Sequence, residues 1–263
     1  MKKYWRHAAL AIQETIAYRV SYLVNIFGNA VFYVVIFMVW NAVYRGNPLI
    51  AGFDWESMKG YLIVSLCMSA LVAGSSEFRI SRQIRSGNII VELLRPVDYQ
   101  KATLAITVGN ALSEGLVVVL FGLVFALVAG LTRMPADLAT WLLFIVSVLL
   151  SFLTKFLIVY VFSLVCFWTT SLMGVSWLRR GLTDFFSGAL IPLSFFPDWL
   201  RTLADWLPFR SIVYVPASIF IGRLQGRELW LVFAQNLIWI VALWFLAKLV
   251  WSIAMRRVTI QGG

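Results

Sequence analysis

Two ionisable side chains stand inside long apolar runs of this 263-residue chain: Glu114, between Ala102 and Thr132, and Lys155, between Leu138 and Leu178. A carboxylate or ammonium at hydrocarbon depth is expensive, so each marks a polar contact between helices or a functional site. Three chemistries are open to them. They pair across neighbouring helices, with snorkelling to an interface as the lysine's variant; they contact a polar substrate; or Glu114 relays protons. A proton-driven carrier needs coupling-ion ligands near the midplane and commonly an internal repeat. Here there is one acidic residue and no convincing repeat, so an ion-coupled secondary transporter using Glu114 is the alternative reading.

Enzyme chemistry has less to stand on. His7 is the only histidine and has no second His or Cys beside it, which leaves neither a metal site nor a base for a nucleophile. Cys67 and Cys166 sit in apolar stretches, where a thiol behaves as a small hydrophobe. The dipeptide Gly-Lys never occurs, so the phosphate-cradling loop of nucleotide hydrolases is absent. Neither a Gly-x-Ser-x-Gly elbow nor a His-Glu-x-x-His helix is present. A membrane-embedded transferase would need clustered His, Asp or Ser at an interface, and no cluster stands out. The expectation is a chain with no catalytic residue, no metal and no cofactor of its own.

The elements that carry these residues follow from composition. Hydrophobic residues make up 61% of the chain and charged residues 13%, more apolar surface than a soluble fold can hide. Val20 to Tyr44 is an uncharged run of 25 residues, longer at ~1.5 Å per residue than the ~30 Å hydrocarbon layer. Gly60 to Ser76, Ala102 to Thr132, Leu138 to Leu178 and Leu229 to Ala247 supply further spans. The fold class is all-α and polytopic, one transmembrane domain over residues 1–263.

Basic residues cluster in four segments: Lys2 to Arg19, Arg79 to Lys101, Arg179 with Arg180, and Arg256 with Arg257. Short cytoplasmic loops collect Lys and Arg, and placing all four inside requires six spans with both termini cytoplasmic. The net charge of +10 then reads as topology, and nucleic-acid binding is a poor second. Leu138 to Leu178 exceeds one span; a long fourth helix ending near Gly174, with a fifth starting between Leu178 and Asp184, fits the charge pattern.

Two connecting segments are amphipathic. Residues 1–19 place Trp5, Ala8, Ile12 and Ile16 on one helical face and Lys2, Lys3 and Arg6 on the other, an interfacial helix. In the connection over 78–98, Arg79, Arg82 and Arg85 recur at helical spacing with Ile80 and Ile84 on another side, before Ser86-Gly87-Asn88 breaks the helix. A second short turn, Ile89 to Leu94, is stopped by Pro96. Its aliphatic residues are costly in water and want a pocket in lipid or a partner protein.

Residues 187–222 are apolar but broken. Phe185 to Pro197 completes a fifth helix without spanning alone. Pro192 and Pro197 would each remove a helix hydrogen bond. Asp198 to Trp206 forms a short helix with Trp199 and Trp206 at headgroup depth, and Ser211 to Gly222, containing Pro216, is too short to cross. The expected form is a helix that surfaces, turns and sends short segments part-way back.

In this order, and with "IRSGNIIVELLRPVDYQ", "SGALIPLSFFPDWLRTLADWLPF" and "RRVTIQGG", the whole chain resembles the permease subunit of type-2 ATP-binding-cassette (ABC) exporters, and one bacterial group within it. The resemblance implies six spans with an N-terminal interface helix, a cytoplasmic coupling helix and extracellular re-entrant helices, in a bacterial inner membrane. It implies cytosolic ABC ATPase subunits that hold ATP and Mg, and a second permease chain, identical or related. Arg82, Ile84, Arg85, Ile89, Ile90, Leu93 and Leu94 would face the ATPase groove. Pro192, Pro197, Trp199, Pro208 and Pro216 would build the extracellular gate and part of the dimer contact.

Overall fold

The computed structural model describes residues 19–71, 75–94, 96–169 and 172–256; the expected interface helix, apart from Arg19, and the tail from 257 lie outside them. The described chain is mostly helical, with one small hairpin and short connections. Helix α1 (Arg19–Gly46) leads to strands β1 (Leu49–Ile50) and β2 (Phe53–Asp54), antiparallel with Leu49 opposite Asp54. Then come α2 (Trp55–Ala70), α3 (Ser75–Arg85), α4 (Ile89–Leu93), α5 (Tyr99–Val128) and α6 (Leu138–Leu164), the last closed by a 3-10 turn (Val165–Phe167). After α7 (Leu172–Phe186) the chain makes a 3-10 turn (Leu193–Phe195), α8 (Asp198–Trp206), another 3-10 turn (Pro208–Ser211), α9 (Tyr214–Phe220) and finally α10 (Gly226–Met255).

Aspartates start three of these helices. Asp54, Asp98 and Asp137 accept from the backbone N–H three residues on, in Ser57 (3.0 Å), Lys101 (3.0 Å) and Thr140 (2.7 Å), satisfying donors that a helix N-terminus leaves open. The Ser57 hydrogen bonds, aided by Arg133, hold the Asp54 carboxyl below its ordinary range, and Thr140 does the same for Asp137. Helices α5, α6 with its 3-10 turn, and α10 are each long and apolar enough to cross a membrane. The chain is thus a nearly all-α, multi-pass membrane protein.

Helix α2 is the axis of the core, buried from Met58 to Leu66 and at Met68. Helix α5 lies along one side of it, α9 is inserted between α2 and α6, and α10 runs along α6. The fully enclosed aromatic centre is Phe53, Tyr61, Phe156 and Tyr160. At one end of the bundle, the far end, Arg133 pairs with Asp54 and Thr132 Oγ1 donates to Glu56 at 3.0 Å, tying the α5–α6 connection to the start of α2. The near end carries α3 and α4.

Two boundaries differ from the sequence reading. Helix α6 ends at Leu164, not near Gly174: Trp168 N and Thr169 N both turn back onto Val165 O, and the chain leaves the helix there. Helix α7 accordingly begins at Leu172 and is finished at Phe186, so Phe185 to Pro197 does not extend it. The prolines also act otherwise than expected. Pro192 and Pro197 each stand just before the first residue of an element, Pro208 is the first residue of its turn and Pro216 lies in the first turn of α9. At such positions the missing N–H has no intrahelical partner to lose, so no helix is broken by them.

The stop after α7 is Gly188. Its φ of +79° is open to glycine, and a Cβ there would lie 2.6 Å from Tyr61 Oη. Tyr61 Oη donates to Gly188 O at 2.6 Å, Ser65 Oγ donates to Ala189 O at 2.7 Å, and Tyr214 N donates to Ser187 O at 2.9 Å. The end of α7 is therefore bonded to the middle of α2 and to the start of α9. Gly188→Ala should cost about 2 kcal/mol or more from the left-handed backbone and the clash, and Tyr61→Phe about 1–2 kcal/mol from the orphaned carbonyl. Because the phenylalanine removes the atom that a Cβ meets, the double variant should lose less than the sum. Thermal melting of all four proteins in detergent checks this; strict additivity would remove the close approach as the cause.

Candidate functional site

The near-end segment is built as a helix with two unlike faces. Glu77, Ile80, Ser81 and Ile84 point into the bundle, the first three at 0%, 1% and 0% exposure, while Phe78, Arg82 and Arg85 point out. Those are the i, i+3, i+4, i+7 and i, i+4, i+7 positions of one helix. Gly87, at φ +72°, then turns the chain into α4. There Ile89 is buried, Ile90 half-buried, and Val91, Leu93 and Leu94 are exposed, Leu94 at 81%.

Two polar grips hold the segment to the body. In its first turn, the Glu77 carboxylate receives Arg179 Nη2 at 2.6 Å on one oxygen, and Arg179 Nε at 3.2 Å and Ser176 Oγ at 2.8 Å on the other. Both charges are desolvated, the arginine at 5% exposure, so the forked geometry is what makes the pair tolerable. In its last turns, Tyr99 Oη donates to Gln83 Oε1 at 2.7 Å, and the Tyr99 ring stacks on Trp251 of α10 with centroids 4.6 Å apart. One end of α3 is tied to α7 and the other to α5 and α10.

Of the residues expected at a partner groove, the structure turns Arg82, Arg85, Leu93 and Leu94 outward, whereas Ile89 is enclosed, Ile84 packs on the core and Ile90 lies between. Glu77 was not anticipated. The sign was nonetheless there, as the acidic member of the stripe shared by Ile80 and Ile84 in an otherwise basic segment. Arg179 and Arg180, expected at the boundary of the fourth and fifth helices, lie within α7, where Arg179 meets Glu77 and Arg180 is exposed with Asp184 one turn further on.

The intramembrane charges resolve differently. Lys155 is buried and its Nζ donates to Ser69 O at 2.9 Å, to Met68 O at 3.2 Å and to Leu71 O. It closes the C-terminus of α2, where carbonyls have no intrahelical donor and a cation suits the dipole. Its partner is thus the backbone of another helix. Glu114 is half-buried on α5. In the broken region Pro192, Pro208 and Pro216 are buried, while Pro197, just before α8, and Trp199 on it are exposed, Trp199 at 71%.

Apolar membrane-length helices with an amphipathic, basic connection locked at one end define a multi-pass membrane protein. The chain matches the family described as ABC-2 family transporter protein over residues 30–262 and belongs to that family. A comparison with the curated proteins gave no match. Membership makes the chain a typically non-enzymatic membrane component and implies association with an ABC ATPase partner.

Lys155→Met should lower stability by about 3 kcal/mol, since it strands carbonyls that hydrocarbon cannot solvate. Hydrogen–deuterium exchange should quicken in the last turn of α2 and not along α5 or α10. A uniform change across the three helices would contradict the capping role.

Proposed function

We propose that this chain is one half of the translocation pathway of an ATP-driven ABC exporter, coupled to a separate cytosolic ATPase that holds ATP and Mg. The observation that carries the reading is the exposure of Phe78, Val91, Leu93 and Leu94, with Arg82 and Arg85, on a segment fastened to the body of the protein. Exposed aliphatic and aromatic side chains beside arginines suit a protein groove better than water. Within this reading the enclosed Ile84 and Ile89 hold the segment in place, and Arg82, Arg85, Leu93 and Leu94 meet the ATPase.

The same reading orients the chain. The near end is cytoplasmic, as are both termini, in a bacterial inner membrane, and α1, α2, α5, α6, α7 and α10 are the six spans. The segment from Pro192 to Phe220 is extracellular and re-entrant. Its support is depth along α6: Ser151, thirteen residues after Leu138, donates to Ser211 O, whereas Phe220 packs on Trp141, three residues after Leu138. At ~1.5 Å per residue the chain dips about 20 Å and climbs back. A second permease chain completes the pathway, and Pro192, Pro197, Trp199, Pro208 and Pro216 belong to the gate. Ion-coupled transport through Glu114 and a membrane-embedded transferase are the alternatives.

A pull-down of the tagged chain in mild detergent from its native cells should recover an ATPase and ATP hydrolysis. Leu93→Asp with Leu94→Asp, both at exposed sites, should leave the protein inserted but remove the ATPase. Unchanged co-purification would reject this docking face, and recovery of the folded chain alone would favour the alternatives. For topology, cysteines placed at Leu200 and Leu203 should react with an impermeant thiol reagent from outside; protection at both would reverse the orientation.

A further inference from the structure

We propose that Glu77 and Arg179, with Ser176, form the joint through which movement of the α3–α4 segment is delivered to α7. The proposal rests on the reading of that segment as the ATPase dock. Helix α3 packs chiefly on α6, α5 and the 165–167 turn, and its defined polar tie to α7 is the Glu77 carboxylate. That tie is directional. The guanidinium engages both carboxylate oxygens, at 2.6 and 3.2 Å, and Ser176, almost one turn before Arg179, fixes the carboxylate from a third side at 2.8 Å. A planar fork of this kind resists sliding and rotation, whereas apolar packing of the same size would hold the helices together without fixing their register.

What the joint would move is also on α7. Gly174 and Gly181 face open space, and Arg180 and Asp184 are exposed on that outward side while Arg179 points in. The same side exposes Met173, Trp177, Leu178 and Phe185, so it joins apolar surface to charges that lipid disfavours, the mixed character of a subunit contact, where a displacement matters. The other end of α7 is anchored through Gly188 and Ala189 to Tyr61 and Ser65 of α2. Force applied at Glu77 therefore reaches a short helix held at its far end, while the second grip of α3, through Gln83 and Tyr99, leads to α5 and α10 instead.

The test uses the complex purified with its ATPase, carrying Gly181→Cys in a background with Cys67 and Cys166 replaced by alanine. The rate of maleimide labelling at position 181 is compared in the absence of nucleotide and after trapping with ATP, Mg and vanadate. With the native pair, the rate should change on trapping. In Glu77→Gln the ATPase should still bind and hydrolyse ATP, but the nucleotide-dependent change should be lost, and the charge swap Glu77→Arg with Arg179→Glu should restore part of it. A Glu77→Gln complex that keeps the full labelling response overturns the joint and leaves the exporter reading intact. A wild-type chain that brings down no ATPase overturns both. Should Glu77→Gln not be recovered folded, Arg179→Lys, which keeps the charge but not the fork, takes its place with the same readouts; a retained response there overturns the proposal equally.

Discussion

Backbone carbonyls at helix ends have no water to turn to inside a bilayer, and this constraint organises the molecule. Each of several ends is closed by a side chain from a different element. Lys155 of α6 closes α2 through Met68 O, Ser69 O and Leu71 O; Lys59 of α2 closes α5 through Ala129 O and Gly130 O at 3.4 and 2.8 Å. Tyr61 and Ser65 of α2 take the carbonyls that follow α7, and Ser151 of α6 takes Ser211 O at the bottom of the broken region. Helices of 16 and 15 residues, α2 and α7, reach only about 24 and 22 Å. In the proposed six-span arrangement these two would be short for a layer of ~30 Å, and the side chains that close their ends would make that length tolerable.

The same bonding explains how an irregular segment resides within an apolar bundle. Residues 187–222 contain two 3-10 turns and two short helices, yet Leu193, Ile212, Val215 and Ala217 are fully enclosed. Along the path Gly188 O, Ala189 O and Ser211 O are met by Tyr61, Ser65 and Ser151. Along α10, Gln235 Nε2 donates to Asp205 O and Trp239 Nε1 to Trp206 O, while Ser187, Ser194 and Ser218 bury hydroxyls with no protein partner. The prolines lie where no donor is required. Breaking the chain into short pieces thus allows close packing against α2 and α6 while side chains from neighbouring helices take carbonyls along the path.

Much of this was legible from residue types. The uncharged run from Val20, the apolar stretches around α5, α6 and α10, and the turn at Ser86-Gly87-Asn88 carry local signals of length, periodicity and composition. The family was likewise readable from the order of segments. What escaped was long-range and backbone-mediated. Lys155 looks from the sequence like a candidate partner for Glu114, because a carbonyl acceptor some 85 residues away has no letter of its own. The end of α6 was missed because Val165 to Trp168 is as apolar as the helix before it, and the 3-10 closure is a matter of geometry. Arg179 was read only as a topological charge at the boundary of the fourth and fifth helices, since the acid that receives it is 102 residues earlier.

Glu77 and Arg179 sharpen the contrast between holding a fold and shaping it. Desolvating two charges costs several kcal/mol per ion, and well-packed apolar residues of similar volume commonly serve stability as well. Lys155 has a reason of another kind, because no apolar side chain can satisfy three carbonyls. The ion pair settles no backbone debt of that kind: it joins the first turn of α3 to the interior of α7 through side chains alone. Its distinguishing property is orientation, with two nitrogens and a hydroxyl fixing one carboxylate between Ser176 and Arg179. Helix α7 is consequently held at its first half by a charged fork and beyond its last residue by Tyr61 and Ser65, with an open face between. In the proposed joint, a short helix suspended from two polar grips would shift as one body when either grip is displaced, the behaviour a pathway helix needs if its motor sits on the opposite side of α3.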